Sequence, residues 1–94
     1  MLIRVKFFGP FKELVGKRWM AVEVPQGISI LEFIREMAEK SNTRLVEETI
    51  NREGDLRPNI IVLINGRNIV HLDYLNTKLK DRDTVALFPP VGGG

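Results

Sequence analysis

The sequence predicts an α+β fold in which a mixed sheet wraps around one main helix. Three observations predict it. Two stretches near the N-terminus alternate apolar with polar residues, residues 29–40 repeat apolar side chains at helical spacing behind a capping signal, and further short apolar runs follow in the C-terminal third.

From Leu2 to Phe8, Ile3, Val5 and Phe7 fall on one face while Arg4 and Lys6 fall on the other, the pattern of a half-buried strand. Gly9-Pro10 ends it, and a short segment with Phe11, Leu14 and Val15 leads to a turn at Gly16. Arg18 to Val24 then alternates again through Met20, Val22 and Val24, so the first two strands form a hairpin. Pro25-Gln26-Gly27 breaks the second strand.

Ser29 and Glu32 have the spacing of a capping box, in which the serine hydroxyl accepts from a free backbone N–H and the glutamate reaches back to the cap. The helix that starts there carries Ile30, Ile34, Met37 and Ala38 inward, with Leu31 and Phe33 widening the stripe, and Glu32, Arg35, Glu36, Glu39 and Lys40 outward. Ser41 to Asn59 is polar and reads as an irregular crossover, with Leu45, Val46 and Ile50 able to form a brief helical turn against the core.

Ile60 to Ile64 has no outward polar position and is expected to be a central strand covered on both faces. Asn65-Gly66 marks a tight turn, because both residues tolerate positive φ. Asn68 to Leu72 would then be the partner strand, Asp73 to Asp83 a loop anchored by Leu75 and Leu79, and Thr84 to Phe88 the last strand. The order strand, strand, helix, strand, strand, strand fits the β-grasp class. No linker divides the chain, so residues 1–88 are expected to form the body and 89–94 a functional tail.

Of the 94 residues 44% are hydrophobic and 28% charged, an ordinary globular composition. The absence of cysteine excludes disulfides, cysteine-based zinc sites and thiol or persulfide chemistry on a side chain. The single histidine, His71, cannot build a multi-histidine metal site, and no metal is expected. Charges at every second position near the N-terminus leave no room for a signal peptide or membrane span, so a cytoplasmic location is expected. Fourteen basic residues interleave with twelve acidic ones, which disfavours direct nucleic-acid binding.

The chemistry points to Pro89-Pro90-Val91-Gly92-Gly93-Gly94. Two prolines favour an extended backbone and are expected to launch the tail away from the sheet edge, and glycines keep it thin enough to thread a narrow channel. A terminal carboxylate is ionised at neutral pH and can attack a phosphoanhydride once a partner enzyme binds ATP and magnesium. The product, an acyl-adenylate, could pass to a sulfur nucleophile and become a thiocarboxylate. The alternative is a loose, inert end, since frayed termini are common.

On these residues the chain resembles the MoaD family, small sulfur-carrier subunits of molybdopterin synthase, related to ThiS-like and ubiquitin-like β-grasp proteins. The resemblance is carried by Val5-Lys6-Phe7-Phe8 with Phe11-Lys12-Glu13-Leu14-Val15-Gly16, by Val62-Leu63-Ile64-Asn65-Gly66, by Leu79-Lys80-Asp81-Arg82-Asp83-Thr84-Val85 and by Leu87-Phe88-Pro89-Pro90-Val91 before Gly93-Gly94. It implies that Gly94 is adenylated by a MoeB-like enzyme and then thiocarboxylated, with Pro89, Pro90, Gly92 and Gly93 threading the partner's site. A MoaE-like large subunit would accept the tail, and Phe8, Phe88 and Ile69 would dock on the partners. No cofactor is implied for the chain itself, since ATP and magnesium belong to the activating enzyme. Phe8 supports an interface independently, because it shares the outward face of Arg4 and Lys6.

Two positions depart from the family pattern. Arg82 stands where the family usually has Gly, so the turn before the last strand is expected to differ in backbone geometry. Gly92 stands where a small side chain is common, which leaves protein conjugation and tRNA thiolation open as alternative uses of the same tail.

Overall fold

The computed structural model describes residues 1–90. Five strands and three helices follow in order: β1 (Leu2–Phe7), α1 (Pro10–Val15), β2 (Trp19–Glu23), α2 (Ile30–Lys40), α3 (Arg44–Thr49), β3 (Ile61–Ile64), β4 (Arg67–Asn68) and β5 (Thr84–Phe88). They build one mixed sheet in the order β2-β1-β5-β3-β4, with β1 parallel to β5 and the other neighbours antiparallel. This is the β-grasp arrangement that the element order predicts. Among the described residues no helix is long and apolar enough to cross a membrane.

The register explains the alternation. Ile3, Val5 and Phe7 of β1, Val22 of β2, Val62 and Ile64 of β3 and Val85 and Leu87 of β5 are buried on one face. Ile30, Phe33, Ile34, Met37 and Ala38 of α2 pack into the same core. A single helix of this length covers only one side of a five-stranded sheet, and the other side is left to solvent.

The α2 start is the expected capping box. The Glu32 N–H donates to Ser29 Oγ at 3.2 Å, while the Ser29 N–H and hydroxyl donate to Glu32 Oε1 at 3.1 and 2.9 Å. Those two donations, the backbone one first, hold the Glu32 carboxyl below the ordinary glutamate range.

Four expectations need correction. The segment around Phe11 is a helix, started by Pro10 in the first turn, where its missing N–H costs nothing, and it buries Phe11. The crossover contains the full helix α3, held by buried Leu45. The central strand is β5, while β3 lies next to the edge and its Ile61 is 38% exposed. Its β-branched residues on both faces hide the alternation.

The partner strand is only Arg67–Asn68. The Asn68 side chain accepts from the Val70 N–H at 3.0 Å and starts a 3₁₀ turn over Ile69–His71. That turn drives Ile69 into the core at 0% exposure and puts Val70 outside at 59%. Ile69 therefore offers no surface to a partner.

The Arg82 turn is where sequence and backbone conflict. The Asp83 N–H donates to the Lys80 carbonyl at 3.1 Å, so Arg82 is the third residue of a tight turn, and its φ is +70°. That position favours glycine, because a Cβ crowds the backbone at positive φ. The turn is held regardless: the Leu2 N–H donates to Asp81 Oδ1 and the Arg82 N–H to the Leu2 carbonyl, both at 2.7 Å. The geometry is the glycine-type one, and an arginine has been made to adopt it.

Arg82→Gly is expected to raise stability by about 1 kcal/mol, read as a higher urea midpoint with an unchanged denaturant slope. Ser29→Ala should cost about 1 kcal/mol. Because the folded Glu32 pKa is depressed, its stabilising effect is present above the unfolded value and lost as pH falls through the folded one. Glu32→Gln should therefore flatten the decline in stability from about pH 5 downward, and a decline as steep as that of the parent chain would count against this cap.

Candidate functional site: the root of the tail and the open sheet face

The parallel β1–β5 pair ends with Phe7 opposite Leu87, which leaves Phe8 and Phe88 as the next neighbours on the open face. Their rings stack with centroids 4.3 Å apart and planes within 9°. Ile61 pairs with Phe88 from the other side. The three form an apolar row across β1, β5 and β3, with Phe8 39% exposed. A stacked aromatic pair contributes about 0.5–1.5 kcal/mol beyond its burial, so the two rings clasp the ends of β1 and β5 together.

One residue further on, Gly9 meets Pro89. Gly9 has φ +55° and ψ −135°, a combination that strongly favours glycine, and a Cβ there would lie 3.1 Å from Pro89 Cγ. Pro89 is thereby seated against the β1–α1 corner and is half-buried, while Pro90 is exposed. Pro89 and Pro90 follow directly on the central strand, between its neighbours β1 and β3. Gly92, Gly93 and Gly94 lie outside the described residues.

Towards β2 the open face becomes basic. Lys6 pairs with Trp19 across the hairpin, and the Arg4 guanidinium sits 5.0 Å from the Trp19 ring centroid. Trp19 is 52% exposed. Among the described residues no cluster of His, Asp and Glu could hold a metal ion, and no titratable constellation of the kind that performs acid–base chemistry lies near the tail.

The ThiS family model matches residues 5–94. The chain belongs to the ThiS family. Small archaeal modifier protein 3 of Haloferax volcanii is 35% identical over the whole of both chains. SAMP1 of the same organism superposes with a TM-score of 0.86 at 26% identity, covering all of both chains. A putative molybdopterin converting factor subunit 1 from Pyrococcus furiosus superposes at 0.73 with 25% identity, over 97% of this chain and 99% of that one. By name these neighbours are small archaeal modifiers and a putative molybdopterin converting factor subunit.

Of the residues expected at the ThiS-type site, Phe8, Phe88 and Pro89 are brought together and Ile69 is not. Trp19, Ile61 and Gly9 were missed. Trp19 had a signal, since it is out of phase with the inward Met20, Val22 and Val24; Ile61 had none, and the role of Gly9 depends on a contact 80 residues away in sequence.

The clasp predicts its own coupling. A double-mutant cycle of Phe8→Ala and Phe88→Ala should show an interaction of about 0.5–1.5 kcal/mol by urea unfolding. Strictly additive losses would mean that the rings are neighbours without being partners.

Proposed function

We propose that this ThiS family member is a sulfur carrier whose terminal glycine, Gly94, is adenylated and then thiocarboxylated, and that it donates the sulfur in molybdopterin synthesis. The observation that carries this reading is the root of the tail. Phe88 and Pro89 are fixed by Phe8 and Gly9 at the margin of an apolar, solvent-facing patch, so a partner that grips the patch receives the following residues in a set direction.

The step would run on the partner's ATP and magnesium. The Gly94 carboxylate attacks the α-phosphorus, pyrophosphate leaves, and an acyl-adenylate forms. A sulfide-level nucleophile then attacks the carbonyl carbon and displaces AMP, which leaves one sulfur in place of one oxygen. Residues 89–93 would thread the activating site, where glycines suit a narrow channel. A MoeB-like enzyme is the activating partner and a MoaE-like subunit the acceptor in this reading, with the chemistry in the cytoplasm where ATP is supplied. The family match reaches Gly94, which supports that residue as the reacting end.

The full-length identity to a small archaeal modifier favours a second use of the same adenylate, attack by a lysine of another protein to give an isopeptide bond. The two uses separate after activation. Incubation with a MoeB-like enzyme, ATP, magnesium and sulfide should change the intact mass by exchange of one oxygen for one sulfur. Lysines joined to Gly94 in cell extract would favour the modifier.

Deleting Gly94 should abolish charging and leave the urea midpoint unchanged, because one terminal glycine contributes almost no burial. Normal charging of the truncated chain would rule out Gly94 as the acceptor.

A further inference from the structure

The basic residues are unevenly distributed. Five of the fourteen (Arg4, Lys6, Lys12, Lys17 and Arg18) and only one of the twelve acidic residues lie in the first nineteen positions, so that segment carries +4 while residues 20–94 carry −2. Interleaving of charge holds only for the rest of the chain. All five cations are exposed, and among the described residues none lies within 4 Å of a carboxylate.

The fold gathers three of them around an apolar groove. Lys6, Lys12 and Arg18 line a concavity of about 430 Å³ together with Phe8, Gly9 and Trp19. Its floor is fixed, because the Phe7 N–H donates to the Arg18 carbonyl at 2.9 Å and ties the start of the β2 hairpin to β1. Lys12 comes from α1. Pro89 packs on Gly9 at one end, so the groove begins beside the root of the tail.

We propose that this groove docks an acidic peptide segment of a partner protein, an apolar side chain entering between Phe8 and Trp19 while flanking carboxylates meet Lys6, Lys12 and Arg18. Charge complementarity selects the occupant: cations with no neighbouring carboxylate, around exposed aromatic surface, gain most from a segment carrying both features. The inference does not depend on what happens to Gly94.

Trp19 is the only tryptophan and reports on the groove directly. The peptide Asp-Glu-Leu-Phe-Glu-Asp should shift its emission saturably at low salt, and the shift should weaken as ionic strength rises. Lys12→Glu with Arg18→Glu should weaken binding at least about tenfold, a loss of about 1.4 kcal/mol, while Arg52→Glu, an exposed charge reversal elsewhere, should leave it within about twofold. Far-UV circular dichroism checks that the double variant is folded. If it is not, comparison of peptides on the unaltered chain decides the matter. Equal binding of Lys-Arg-Leu-Phe-Arg-Lys, no saturable shift, or tighter binding of oligouridylate than of the acidic peptide would each overturn the proposal.

Discussion

The parallel pairing of β1 with β5 is the constraint on which the rest of the molecule depends. It joins Arg4 to Thr84 and Phe7 to Leu87, and so brings the two ends of the described chain side by side in the middle of the sheet. Closing so long a loop is entropically costly, though the cost grows only slowly with length. It is offset by the core beneath, where Val5, Phe7, Val85 and Leu87 meet α2 with almost no exposure. The stacked phenylalanines and the Gly9–Pro89 contact follow from that register, since both are its continuation by one and two residues.

The place of Phe88 and Pro89 at the end of the central strand also settles how rigid they are. An edge strand frays and can be recruited by other strands, whereas β5 is hydrogen-bonded on both sides. Asn65 adds a further tie: its N–H and the Thr84 N–H form a reciprocal pair with Thr84 and Asn65 oxygens at 2.8 and 2.9 Å, and its side-chain amide donates to Asp83 at 2.8 Å. The direction in which the chain leaves the sheet is thereby inherited from the most constrained part of the fold.

Much of this was legible in the sequence because the relevant signals are local. The alternation in β1 and β2, the Ser29–Glu32 cap and the Asn65-Gly66 turn each depend on residues a few positions apart, and each stands where expected. What was not legible depends on tertiary context. Whether Ile60 to Ile64 is central or next to an edge is decided by the strand order, and five apolar residues look alike in either place. Ile69 was misplaced because a side-chain cap from Asn68 replaced strand with a 3₁₀ turn and reversed which residue faces the core. Arg82 shows the converse: the sequence marked a difference from the family, and the backbone kept the glycine-type turn because contacts with Leu2 and Asp81 over-determine it.

A central C-terminal strand has an asymmetric result when the chain is shortened by proteases. A cut that enters Thr84–Phe88 removes the strand shared by β1 and β3, so the body should lose its fold and be cleared. A nick just beyond Pro90 spares every strand and the whole aromatic row. Such a remnant would persist as a folded body that still carries the stacked Phe8 and Phe88 rings on its open face.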